Sequence, residues 1–179
     1  MSSMLRAALA LVALGASAAA ATVVELPTFA QAIERADVIA RVRVSAQQVE
    51  QGKDGRLRTW TTLIVVDAVA GASIGEQLTL YQPGGAPGDK DRGVGGLPVH
   101  RLGDDVVLFL ARVRVVGRAA VIHRGLGYGV YDVTGTGALV ERRSDVARIS
   151  PNGDALPTHF PSLAALRAAV VLVQAGRRP

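Results

Sequence analysis

The sequence predicts a mainly β fold: a small OB-like antiparallel β-barrel with a short N-terminal helix and a C-terminal helix. Three observations carry this expectation. Runs of β-branched and apolar residues alternate with polar ones at a period of two. Glycine-rich turns separate these runs at short intervals. Helical periodicity is confined to two short stretches, one near each end. With 179 residues, 49% of them hydrophobic, one domain with a real core is expected over residues 22–179.

Composition excludes several functions. The chain has no cysteine, which rules out disulfides, thiol catalysis, cysteine-ligated zinc and a lipidated N-terminal cysteine. The net charge of +5 rests mostly on arginine. An acidic partner is compatible with it, but the positives are scattered and lack the interleaved aromatics of a nucleic-acid reader. No nucleic-acid partner and no cofactor are expected, and the charge reads mainly as solubility.

Residues 1–21 read as a secretory signal peptide. Arg6 supplies the positive start, Ala7 to Ala16 the apolar run, and Ser17 to Ala21 the small residues before a cleavage expected at Thr22. The run falls short of the roughly 20 residues that span a bilayer, so no membrane span is expected after processing. The mature chain is expected to be an exported monomer, periplasmic or extracellular.

Thr28 and Gln31 have capping-box spacing and open a short helix whose Phe29, Ile33 and Ala36 share a face. Asp37 ends it. Val38 to Val49 alternates as a strand, with Val38, Ala40, Val42, Val44 and Ala46 on one face. Gln51 to Gly55 is a hairpin loop. Thr59 to Val66 is a second strand, and its apolar run Leu63–Val66 predicts cover on both faces. Gly71 and Gly75 bracket a turn, and Leu78 and Leu80 alternate with polar neighbours in a third strand.

That turn, Gly71-Ala72-Ser73-Ile74-Gly75, matches the G-x-S-x-G nucleophile elbow, which would make Ser73 a hydrolase nucleophile. The elbow requires a helix after the serine, and Glu76 to Tyr81 alternates as a strand instead. A plain hairpin turn is therefore expected.

Residues 83–98 form a glycine- and proline-rich loop. It lacks the G-x-x-x-x-G-K-[ST] pattern and a following helix, so it is a surface flap or a binding loop of another kind. Val106 to Val115, Ala119 to His123, Val130 to Val133 and Leu139 to Glu141 complete the strands, with glycine turns at 117, 125–129 and 135–137. Ser162 caps the last helix, whose Leu163, Leu166, Val170 and Val173 form one stripe before Gly176. The barrel core is expected to include Val42, Val44, Leu63, Val65, Leu78, Leu80, Leu108 and Leu110.

The order of Ala36-Asp37-Val38-Ile39, two long strands, Asp67-Ala68-Val69-Ala70-Gly71, Gly84-Gly85 and Leu102-Gly103-Asp104-Asp105-Val106-Val107-Leu108-Phe109-Leu110 resembles a family of exported bacterial proteins. Their core is similar to the netrin and tissue-inhibitor-of-metalloproteinase module, an OB-type barrel. The resemblance covers about Thr28 to Val133 and implies a barrel fold and a binding role. Those inhibitors chelate a protease zinc through an N-terminal cysteine. This chain has none, so that mechanism does not carry over.

Candidate sites are few. His100, His123 and His159 lie far apart in sequence and lack metal-binding spacing, so no metal site is expected, and His123 is expected at an exposed or edge position. Asp104-Asp105 should form the turn before a strand. Arg41 and Arg43 share one strand face, as do Arg112 and Arg114 on another. If the strands are neighbours, the four form a basic patch on the barrel exterior; the competing reading is an ordinary solvated face.

Two functions follow as expectations. The first is a non-enzymatic, inhibitor-like binding module for an exported protein, with a protease as one candidate. The second is a binder of acidic polysaccharide or of the envelope surface through the arginine patch.

Overall fold

The computed structural model describes residues 24–25, 27–85, 96–124, 128–142, 148–149 and 157–176. The expected signal peptide, the middle of the glycine-rich loop and residues 125–127 lie outside them. In chain order the elements are β1 (Val24–Glu25), α1 (Phe29–Arg35), β2 (Val38–Gln51), β3 (Leu57–Ala70), β4 (Gln77–Pro83), β5 (Asp105–Val115), β6 (Arg118–His123), β7 (Val130–Val133), β8 (Leu139–Glu141), β9 (Arg148–Ile149), β10 (His159–Phe160) and α2 (Leu163–Gln174). No helix among the described residues is long and apolar enough to cross a membrane.

The fold is mainly β, and five strands close a ring in the order β2-β3-β4-β6-β5, with β5 returning to β2. This is the expected OB-like barrel. Its neighbours are antiparallel except β4 and β6, which run parallel through the single pair Leu80–Val121. A ring of five cannot alternate direction all the way round, so one parallel contact is obligatory. Beyond the ring, β7, β8 and β10 extend the sheet from the far edge of β5. β1 and β9 form a separate parallel pair.

Two cores result. One fills the barrel and contains all eight residues expected there, each at most 4% exposed. The other lies outside the ring, where α1 and α2 cover β5 and β7. It is built from Phe29, Ile33, Phe109, Tyr131, Leu166 and Val170, among others. Two-sided cover therefore falls on β5, buried continuously from Val106 to Ala111, and on the start of β2. It does not fall on Leu63–Val66, where Ile64 and Val66 stay half-buried.

Local signals in the sequence work as expected at both helices. The Thr28 hydroxyl accepts from the Gln31 N–H at 3.2 Å, and the Gln31 side chain accepts from the Thr28 N–H at 3.0 Å. The Ser162 hydroxyl accepts from the Ala165 N–H at 3.1 Å. The strands are less regular than the alternation suggests. The β2–β3 register shifts three times. At the last shift Val44 pairs with Leu63 and Ala46 with Thr62, leaving Ser45 as the extra residue. This bulge reverses the phase of β2. Ala46 points outward and is exposed, contrary to its expected inward face, and Gln47 turns toward Thr61 instead.

Candidate functional site

The four arginines do not converge. Arg41 faces Val107 across the β2–β5 ladder, and Arg112 lies five positions beyond Val107, about 17 Å along the strand. Arg41 grips Asp105 with two hydrogen bonds of 2.8 and 2.7 Å, and Arg43 lies 3.7 Å from the same carboxylate. The Arg41 bond holds the Asp105 carboxyl below its usual range. Arg112 donates to the Glu76 carboxylate and to the Gly71 carbonyl, both at 2.9 Å, and lowers the Glu76 carboxyl in turn. Arg114 donates to the Gly117 carbonyl at 3.3 Å. Of the two readings, one basic patch or an ordinary solvated face, the positions fit the second better: the pairs lie at separate places along the barrel, and Arg41 and Arg112 are each matched by an acid.

Ser73 sits in the β3–β4 turn. Its N–H donates to the Glu76 carboxylate at 2.9 Å, and the chain passes directly into β4. The strand–turn–helix setting of a nucleophile elbow is replaced by a hairpin.

A polar cluster fills one end of the barrel interior. The inward phase of β3 runs from Val65 and Leu63 to Thr61 and Thr59, and that of β4 from Leu78 and Leu80 to Gln82. Thr59, Thr61 and Gln82 are all buried, as are His100 and His123. These side chains hold the chain on either side of the glycine-rich loop. The Thr59 hydroxyl donates to the Gly84 carbonyl at 2.8 Å, and the Gln82 amide to the Pro98 carbonyl at 3.0 Å. The Gln47 amide donates to the His100 carbonyl at 2.9 Å and to the Thr61 hydroxyl at 3.2 Å. Arg142 completes the frame by donating to the Val99 carbonyl at 2.7 Å, to Asp104 at 2.9 Å and to Asp132.

Within this cluster the His100 and His123 rings stack at 15°, with 2.8 Å between their Nε2 atoms. Of the two positions expected for His123, exposed or edge-paired, the exposed one is not found: it is buried at the end of the β5–β6 ladder, because β6 ends with its inward phase at this residue. One Nε2 donates and the other accepts, so one ring carries its hydrogen on Nδ1. Neither Nδ1 has a hydrogen-bond partner. Burial pushes the His100 imidazole down to about 4 and the His123 imidazole well below its ordinary range, where the neighbouring His100 adds to the effect. Binding one metal through both Nε2 atoms would leave two buried Nδ1–H donors without acceptors, whereas metal-ligating histidines keep such a partner. The pair fits a direct hydrogen bond better. Among the described residues no group of three or more histidine or acidic side chains is placed to hold a metal.

A groove of about 600 Å³ runs across the outside of the barrel. It is lined by Gln47, Gln48, Trp60, Thr62, Thr79 and Arg118, with Ala46 and Ala119 at its sides. Trp60 and Tyr81 are cross-strand partners with ring centroids 5.1 Å apart. The Arg118 guanidinium lies 5.2 Å over the Trp60 ring and 3.2 Å from Glu50. The Glu50 carboxyl is held low first by the Trp60 indole N–H, although that contact falls outside good hydrogen-bond geometry, and then by Arg118.

Comparison with protein-family models, curated proteins and solved structures finds no match. Function is therefore argued from this geometry. The arginines that the sequence singles out are not the residues the fold brings together. Gln47, Thr61, Gln82, His100 and His123 are, and one signal for them was present. Carrying the inward phases of β3 and β4 past their apolar residues reaches Thr61, Thr59 and Gln82, which marks a polar barrel end.

Proposed function

We propose that this chain is an exported, non-enzymatic binding module and that it holds a polysaccharide in the groove over β3 and β4. The groove's composition carries the reading. Amide and hydroxyl groups from Gln48, Thr62 and Thr79 line the groove around Trp60, whose buried ring is covered by one cation, Arg118. Such a set matches the hydroxyl-rich edges of sugars. β3 and β4 are the second and third strands of the ring, and that face commonly carries the ligand in OB barrels, a supporting analogy at the level of the fold. The resemblance to the netrin and metalloproteinase-inhibitor module supports a binding role but points to a protein partner. The groove favours a glycan because amide and hydroxyl groups from three strands line it.

Affinity electrophoresis through gels containing heparin or dextran tests this. Retention by at least one polysaccharide is expected. Ala119→Trp, which fills the groove, should reduce retention at least tenfold with an unchanged circular dichroism spectrum. Arg41→Ala/Arg43→Ala should leave it within twofold. Retention unaffected by Ala119→Trp, or abolished by the arginine pair, removes the groove from the proposal. No retention by either polysaccharide, with capture of an exported protein that Ala119→Trp abolishes, replaces the glycan by a protein partner.

A further inference from the structure

The His100–His123 pair joins two parts of the molecule that differ in how firmly they are held. His123 ends β6 and pairs with Leu110 in the β5–β6 ladder. His100 belongs to the segment 96–104, which has no regular structure and closes the polar end of the barrel. The distal part of that segment is tied by backbone, since the Gly103 N–H donates to the Val44 carbonyl and the Val44 N–H to the Asp104 carbonyl. Its proximal part, Pro98 to His100, hangs on side chains: Gln82, Arg142 and Gln47, each reaching a carbonyl. Val99 and Arg101 also line a cavity of about 290 Å³ with Asp104 and Arg142, so the segment is not packed solidly there.

We propose that the two histidines form a proton-operated latch: neutral, they clasp residues 98–100 into the barrel mouth, and protonation releases that segment. The geometry requires the dependence. At 2.8 Å the contact holds only while at least one Nε2 lacks a hydrogen. Two protonated rings would set N–H against N–H and charge against charge at a buried site. The charged groups that act on the pair are Arg142, which follows β8, Asp104 in the segment itself and Asp132 on β7. Arg142 opposes protonation, the two aspartates favour it, and burial outweighs both. The neighbours from β2, β3 and β4 are Gln47, Thr59, Thr61 and Gln82, which carry no charge. Of the two rings, His100 is the one free to leave, because His123 is fixed in a ladder.

The latch also reaches the groove. Gln47 lines the groove and holds the His100 carbonyl, so release would free its amide. That extension rests on the proposed glycan reading, whereas the latch itself does not.

The test uses the purified chain without ligand. Imidazole resonances of His100 and His123 are followed from pH 8 to 4 together with hydrogen-exchange protection of residues 97–101, with β3 as the internal reference. Coupled titration below the usual histidine range is expected, with protection at 97–101 falling at least tenfold over the same pH interval while β3 stays protected. In His123→Leu the fall should disappear, and in His100→Phe likewise if the first variant folds poorly. Protection at 97–101 unchanged by pH in the wild type overturns the latch, as does the same fall in a folded variant. Failure of polysaccharide retention leaves these readouts untouched, so the two proposals fail separately.

Discussion

Two imidazoles, buried side by side with a shared hydrogen bond and two ring nitrogens left over, are a costly arrangement for a side chain that water would readily protonate. An unpartnered buried donor costs about 1–3 kcal/mol. The consequence for stability has a definite sign. In the unfolded chain both histidines take up protons near their ordinary pKa of 6.5, while in the folded chain His100 waits until about 4 and His123 until well below 6.5. Stability is therefore full above pH 6.5 and falls as the pH drops from there toward 4, because the unfolded state binds more protons throughout that window. The slope is at most about 1.4 kcal/mol per pH unit for each histidine. Asp105 and Glu76, whose carboxyls are lowered by arginines, add their losses only further down, where unfolded carboxylates begin to protonate. Urea unfolding at pH 7.5, 6.5, 5.5 and 5 should show the decline, and His123→Leu should roughly halve it, leaving the part due to His100. A wild-type midpoint constant across that range would contradict the buried pair.

Among the described turns, the β5–β6 hairpin is one whose sequence and geometry disagree. It turns through Val116 and Gly117 at φ 51° and 77°, the positive values of a type I′ turn. Gly117 suits that conformation. A β-branched residue at positive φ is a steric outlier, and Val116 is also 68% exposed, so it gains little packing in return. Val116→Asn should stabilise the chain by about 1 kcal/mol, which for a domain of this size raises the thermal midpoint by about 2–4 °C. A lowered midpoint would mean that Val116 makes a contact the fold needs. Gly71 is the converse case. A Cβ there would lie 1.8 Å from the Asp37 carbonyl oxygen, so glycine is required by the close approach of two backbones as well as by its φ of +69°. Legibility in the sequence follows the same physics. The longer strands and both caps could be read because they depend on neighbours along the chain, whereas the two-residue β1, β9 and β10 carry too short a pattern to be read; the inward set from Val42 to Leu110 could be read because side-chain period fixes the face. The Ser45 bulge could not, since one extra residue leaves the composition of β2 unchanged while reversing its phase. Nor could the stacking of His100 on His123, 23 positions apart, which depends on where β6 ends and where the segment 96–104 crosses it. Whether the four arginines converge was left open for a related reason: face was deducible, but position along the barrel was not.

At the scale of the molecule, two cores back onto one sheet. The barrel interior and the layer under α1 and α2 share β5, so the strand in the middle is sealed on both sides while β3 and β4 keep an outer face for the groove. The polar barrel mouth and the groove are separate surfaces connected through Gln47. The ring itself is closed unevenly. Long ladders join β2 to β3 and β5 to β6, yet β4 meets β6 through one backbone pair. This asymmetry bears on rates. The hairpins are local and can form early, but joining β4 to β6 needs two chain regions about 40 positions apart, so closure should come late in folding. Arg118 reaches across the closed ring from β6 to Trp60 on β3 and Glu50 on β2. If those contacts form only after the rate-limiting barrier, Arg118→Ala should speed unfolding and leave the refolding rate almost unchanged. A chevron in which the refolding arm slows instead would place closure inside the nucleus. On the first outcome, the persistence of the closed barrel is set by how slowly its ring unzips along β4 and β6, a kinetic lifetime that equilibrium stability alone does not report.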